Sequence, residues 1–160
     1  MNIYKFNKNH EKYNISTNMD YLILAGGCFW CVSKPYYEYD GVNKVLSGYT
    51  GGVKKFPTYE EVKSGTTGHK EAILIEYDSS IISFDKLLDI FFETIDPFDD
   101  QGQFIDRGDN YTCAIYTLNE MVKKYSQEKL ACLEKTFNKK TYVPIFPPCD
   151  FYIAEEYHQD

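Results

Sequence analysis

Positive charge is the scarcest resource in this sequence. One arginine, Arg107, stands against sixteen lysines in 160 residues, and acidic residues outnumber basic ones to leave a net charge of −7. Without clustered Lys and Arg a groove for phosphates cannot be built, so nucleic-acid binding is excluded. Long apolar runs are also missing: nothing approaches the roughly 18 consecutive apolar residues of a membrane span. Residues 1–20 contain no apolar h-region, so no secretory signal is expected. Tryptophan occurs once, at Trp30, and the five cysteines are an odd number. An odd count with no signal argues against a disulfide framework and for reduced thiols in a cytoplasmic protein. What is abundant is apolar bulk, 43% of residues with fifteen tyrosines, enough for the core of one domain. Residues 1–19, rich in Asn and Lys and without a clean period, read as an N-terminal extension; residues 20–160 read as a single domain.

Several elements are legible. The apolar run 21–25 stopped by Gly26-Gly27 predicts a buried strand. A helix is expected from Cys28 to about Tyr39, bent or split by Pro35. Further strands are expected at 42–49, 69–77, 111–117 and 142–146. Thr58-Tyr59-Glu60-Glu61 has capping-box spacing and opens a short helix. Ser83 is expected to cap a helix carrying Phe84, Leu87, Leu88, Phe91, Phe92 and Ile95 on one face and closed by Pro97. Asn119 is expected to cap another, running to about Phe137. Residues 98–110 read as a polar loop. Pattern alone permits either a parallel α/β sheet or a mixed α+β sandwich.

The chemistry concentrates at Gly26-Gly27-Cys28-Phe29-Trp30-Cys31, where a strand turns into a helix. The unpaired N–H groups of a first helical turn favour a thiolate. Cys31 falls on the same helical face, with its Cα expected about 5 Å from that of Cys28, within disulfide reach. Nucleophile and resolving partner is the economical reading; two core cysteines, or half of a zinc site, are the alternatives. Phe29 and Trp30 beside a nucleophile would build an apolar pocket, although either alone is as readily explained by core packing. Glu71 shares one side of its strand with Ile73, Ile75 and Tyr77. Buried there it would hold its proton near neutrality; exposed at the start of the strand it would be an ordinary carboxylate.

These residues carry a family resemblance. Segments 26–31 (GGCFWC), 40–42 (DGV), 47–52 (SGYTGG), 57–72 (PTYEEV-SGTTGH-EA), 96–97 (DP), 102–111 (GQF-DRG--Y) and 151–160 (FY-AE-YHQD) resemble the A-type peptide methionine sulfoxide reductases, in that family's order and spacing. The resemblance implies an α+β two-layer sandwich with a mixed sheet and flanking helices, built on a ferredoxin-like plait. It implies an oxidoreductase that reduces methionine sulfoxide, free or in oxidised proteins, with preference for the S epimer, needing no metal or other cofactor and working as a monomer.

The resemblance also assigns roles. Cys28 is the nucleophile that becomes a sulfenic acid. Phe29 and Trp30 cradle the substrate methyl group. Glu71, Tyr59 and Tyr111 hold the sulfoxide oxygen, and Glu71 protonates it, while Asp106 shapes the same pocket. Many relatives have Gly where Cys31 stands and place resolving cysteines in a Gly-rich C-terminal tail. No such tail follows here, so Cys31 is expected to resolve Cys28, giving a disulfide that thioredoxin reduces. Cys149 is the substitute resolver, and Cys113 and Cys132 are expected in the core. Arg107 reads first as a solvated surface charge and second as a brace for its loop. His69 and His158 fall on family positions without a derivable role. A general thiol–disulfide oxidoreductase and a metal-binding or packing module are the competing functions.

Overall fold

The computed structural model describes the backbone of residues 4–6 and, with side chains, residues 19–155, 158 and 159. Nine strands are described: β1 (Tyr4–Phe6), β2 (Asp20–Gly26), β3 (Val42–Thr50), β4 (Lys70–Tyr77), β5 (Gly102–Gln103), β6 (Asp106–Arg107), β7 (Cys113–Tyr116), β8 (Ile145–Phe146) and β9 (Phe151–Ile153). Four α-helices accompany them: α1 (Phe29–Ser33), α2 (Tyr59–Lys63), α3 (Phe84–Thr94) and α4 (Glu120–Phe137). Seven strands form one mixed sheet in the order β1-β9-β3-β4-β2-β7-β8. Its centre is antiparallel, and only the outer pairs β1–β9 and β7–β8 are parallel. This is the α+β arrangement that the resemblance implies, and it decides against a parallel α/β sheet.

The central strands are covered on both faces, which is why β4 lacks a clean alternation. Ile73, Ile75 and Tyr77 face Leu87, Leu88 and Phe91 of α3, while Ala72 and Leu74 join Ile23, Ala25, Leu46 and Tyr116 on the opposite face. Burying each of the α3 side chains contributes about 1.5–3 kcal/mol. Helix α4 is capped as expected, Asn119 Oδ1 accepting from the N–H groups of Met121 and Val122, and the Thr58 capping box is complete. Ser83 sits at the N-cap of α3 but makes no side-chain capping bond; the apolar face fixes that helix without it.

Pro35 splits the expected 28–39 helix, leaving α1 as little more than one turn followed by a 3-10 helix over Lys34–Glu38. The 98–110 loop contains the ribbon β5–β6, and Tyr111 closes a 3-10 turn instead of opening the next strand. The strand expected at 142–146 shrinks to β8. Besides that ribbon, two strands of the main sheet have no counterpart in the sequence reading. β9 pairs antiparallel with β3, and β1 pairs parallel with β9, so at least Tyr4–Phe6 of the 1–19 segment joins the sheet. The rest of residues 1–18 lies outside the described residues.

Candidate active site

The site begins where β2 ends. A Cβ at Gly26 would stand 2.8 Å from Ile95 Cγ2 and 2.9 Å from Phe91 Cε1, so only glycine lets the strand end press against α3. Gly27 takes φ +88°, and a Cβ there would meet Gln103 Cβ at 2.7 Å, a conformation and a spacing that suit glycine. Cys28 is the N-cap of α1, its carbonyl accepting from the N–H groups of Cys31 and Val32 at 3.1 and 3.2 Å. The backbone N–H groups of Cys31 and Trp30 favour the Cys28 thiolate, as the sequence suggests, but partial burial outweighs them and pushes the thiol up to about 11. The resting group is therefore a half-buried thiol. Cys31 is exposed and close enough for its charge to act on Cys28.

Glu71 is 2% exposed. Its partner in the sheet register is Tyr49, and Phe29 donates its N–H to Glu71 Oε1 at 3.3 Å, tying β4 to the helix that Cys28 caps. Burial is the main cause that raises the carboxyl to about 7, reinforced by the negative charge of Asp106 and opposed by the Phe29 N–H and the Tyr111 hydroxyl. The carboxyl is thus a proton donor near neutrality. The Tyr111 hydroxyl lies close enough to Glu71 and Tyr59 to act on the ionisation of both. Both tyrosines are held neutral by burial and by the Glu71 charge, and Tyr59 also responds to Cys28. The structure therefore brings Cys28, Glu71, Tyr59, Tyr111 and Asp106 into one electrostatically coupled group.

The aromatic side of the pocket is divided. Phe29 is buried, whereas Trp30 keeps 43% of its surface exposed and forms a rim. His158, for which the sequence offered no role, packs its ring against Tyr59 at 4.4 Å, Phe29 at 5.2 Å and Trp30 at 5.3 Å. Burial lowers its pKa, so it contributes as a neutral ring near pH 7. The Trp30 indole N–H donates to the His158 carbonyl at 3.2 Å. The segment carrying His158 is stitched to β3 by Gln159, whose Oε1 accepts from Ser47 N and whose Nε2 donates to Ser47 O and Ala154 O, each at 2.9 Å.

Comparison with known proteins now decides the family. The family described as "Peptide methionine sulfoxide reductase" matches residues 20–160. The chain is 48% identical over 143 residues to peptide methionine sulfoxide reductase MsrA 2 of Staphylococcus aureus (strain MW2), covering 88% of this chain and 81% of that protein. The chain belongs to the peptide methionine sulfoxide reductase family. It is an oxidoreductase that reduces methionine sulfoxide. Among solved structures it is similar to methionine sulfoxide reductase A of Corynebacterium diphtheriae, with a TM-score of 0.82 at 27% identity over 90% of this chain and 74% of that one. Mxr1 from Saccharomyces cerevisiae in complex with Trx2 shares the fold, with a TM-score of 0.62 at 19% identity over 94% of this chain and 91% of that one.

In this reductase the loop around Asp106 is set by contacts that the sequence did not disclose. Gln103, almost fully buried, accepts from Asp96 N at 2.7 Å and donates to Asp96 O at 2.8 Å, locking the ribbon under Gly27. Arg107 is a brace and not merely a solvated charge: its guanidinium forms a two-pronged pair with Asp99, both bonds 2.7 Å, and donates to Phe104 O at 3.0 Å. Only the planar fork of arginine serves there. His69 is a clamp away from the pocket, accepting from Gly52 N at Nδ1 and bonding Lys54 O through Nε2. Cys113 is buried and pushed up to about 12. Cys132, expected in the core, is instead exposed on α4. Cys149 lines a separate hollow of about 370 Å³ with Lys70, Tyr116 and Phe146. Among the described residues no three His, Cys, Asp or Glu converge as metal ligands, and no helix is long and apolar enough to cross a membrane.

Proposed function

We propose that the reductase works through Cys28, with Glu71 as its acid and Cys31 as its resolving thiol, on the S epimer of methionine sulfoxide. Phe29, Trp30 and His158 surround the methyl group, while Tyr59 and Tyr111 hold the sulfoxide oxygen in a pocket closed by Asp106. The observation that carries this reading is the buried Glu71, raised to about 7 by desolvation and joined through Phe29 N to the nucleophile's own helix. A sulfoxide oxygen leaves sulfur only once it is protonated. Glu71 supplies that proton as Cys28 Sγ attacks, and regains one from the thiol, so the step is proton-neutral. Oxygen passes to Cys28 as a sulfenic acid and the substrate departs as a sulfide.

Cys31 Sγ then attacks the sulfenic sulfur, an S–S bond forms and water leaves. Thioredoxin reduces the disulfide by exchange, becoming oxidised itself. Exposure of Cys31 beside a surface hollow of about 500 Å³ lined by Lys34, Pro35, Tyr37 and Glu38 supports access by a protein reductant. The complex of Mxr1 with Trx2 supports the same partner. Cys149 is less suited, because it sits with Lys70 and Tyr116, on the face of β4 opposite Glu71. The catalytic unit is residues 20–160, acting as a monomer in the cytoplasm on free methionine sulfoxide and on oxidised proteins.

The test is turnover of the two sulfoxide epimers with thioredoxin and with dithiothreitol. Cys28→Ser abolishes both. Cys31→Ser completes about one turnover per enzyme and then stalls with thioredoxin; sustained thioredoxin-driven turnover by that variant would instead make Cys149 the resolver. Insulin reduction without S-epimer turnover would overturn the whole assignment.

A further inference from the structure

Tyr59 occupies the first position of a helix only five residues long. So short a helix cannot fix its own first turn, where the leading N–H groups have no partner inside the helix. The Thr58–Glu61 box satisfies Glu61 N and Thr58 N, but Tyr59 N–H reaches outward. It donates to Glu155 Oε2 at 3.0 Å, ninety-six residues away. The other oxygen, Oε1, accepts from the hydroxyl of Tyr49 at 3.0 Å. Tyr49 is fully buried on β3, directly opposite Glu71 in the sheet register and 5.9 Å from the Phe29 ring between centroids. The Glu155 backbone carbonyl also accepts from His158 N at 2.9 Å, and His158 is the ring packed on Tyr59.

We propose that Glu155 is a positioning residue for sulfoxide reduction: its carboxylate bridges Tyr49 on the rigid sheet to the Tyr59 backbone, and so sets the Tyr59 hydroxyl against Tyr111 and Glu71. This rests on the reading of Tyr59 as a group that holds the sulfoxide oxygen. One residue therefore joins three parts of the pocket: the central sheet, helix α2 and the C-terminal segment. Glu155 touches none of the reacting groups itself. Its effect passes through the orientation of Tyr59, where a displacement of about 1 Å can cost up to roughly a hundredfold in rate.

The bridge needs an acceptor for Tyr59 N–H and any hydrogen-bonding partner for the Tyr49 hydroxyl. A glutamine can supply both, its oxygen to Tyr59 and its amide N–H to Tyr49. The experiment measures dithiothreitol-driven reduction of methionine sulfoxide by Glu155→Ala, Glu155→Gln, Tyr59→Phe and the double variant Glu155→Ala/Tyr59→Phe, with kcat separated from KM. Glu155→Ala lowers kcat about tenfold or more, and Glu155→Gln stays within about threefold of wild type because the bridge survives. The double variant is no slower than the slower single one, since both act through one hydroxyl. Should Glu155→Ala fail to fold, Tyr49→Phe removes the sheet end of the bridge and is expected to lower kcat about threefold or more.

Three outcomes would overturn the bridge while leaving Tyr59 in its role: a wild-type kcat for Glu155→Ala or Tyr49→Phe beside a slow Tyr59→Phe, independent losses that multiply in the double variant, or Glu155→Gln as slow as Glu155→Ala. A Tyr59→Phe variant at wild-type rate would overturn both, because nothing could then pass through that hydroxyl.

Discussion

The two walls of the pocket are held by different forces. The Cys28 turn, residues 26–33, is fixed by packing: Gly26 presses on Phe91 and Ile95, Gly27 on Gln103, and Phe29 and Val32 are buried. The adjoining wall, made by Ala154, Glu155, His158 and Gln159, is fixed by hydrogen bonds from side chains to the backbone and to a tyrosine hydroxyl, through Glu155 and Gln159. Packing constrains volume and leaves no slack, which suits a nucleophile whose sulfur must face one spot. Hydrogen bonds constrain direction and can be broken one at a time. The comparison teaches that one wall acts as a fixed anvil and the other as a stitched flap.

Glu71, tied to the first wall through Phe29 N, gives the largest expected effect. Glu71→Gln should slow sulfoxide reduction roughly 10²–10⁴-fold and remove the fall in rate expected of the wild type as pH rises through about 7. The same change should be stabilising in alkaline solution. The folded carboxyl titrates near 7 and the unfolded one near 4.5. The folded state therefore binds the proton more tightly, and wild-type stability declines as pH rises from about 4.5 to about 7. Urea melts at pH 5 and pH 8 should show Gln gaining on Glu by at most about 3 kcal/mol at the higher pH; an equal difference at both would mean that Glu71 is not desolvated.

The packed wall is probed next. Gly26→Ala should destabilise the protein by about 1–3 kcal/mol, because the added methyl meets Phe91 and Ile95 with no space to yield. The stitched wall should be cheaper to damage and more local. Gln159→Ala leaves Ser47 N and two carbonyls to find other partners, costing about 1–2 kcal/mol. Trp30 reports on it directly: the only tryptophan donates to the His158 carbonyl, so its emission should shift in Gln159→Ala and stay unchanged in Arg107→Lys. Matching losses of secondary structure and Trp30 signal in Gln159→Ala would show that the two walls melt as one unit. The smallest effect belongs to Arg107→Lys, where an exposed two-pronged pair is traded for a single contact screened by solvent, and the melting curve should be close to that of the wild type.

Legibility followed the range of the interaction. GGCFWC announced its strand, its turn and its two thiols because all three depend on neighbours within a few residues. Glu71 was visible as a candidate, but its burial was not, since both faces of β4 carry a mixture of residue types. Ser83 takes the N-cap of α3 as expected but without a side-chain bond, and Cys132 is exposed because α4 buries Val122, Ser126 and Leu130 instead. Gln103, Glu155, His158 and Gln159 gave no local sign of their contacts, each being made with a residue on another element.

The sequence by itself singled out the proposed redox pair, its aromatic neighbours and the proposed acid, because residue type and spacing set what chemistry a turn and a strand can present. The tertiary structure alone decided the proton states. Burial lifts Cys28 and Glu71 together, and burial is a property of everything that folds over a residue, from whatever part of the chain it comes. The same folding selects which tyrosine Glu155 holds, since a hydrogen bond spanning ninety-six residues leaves no periodic trace.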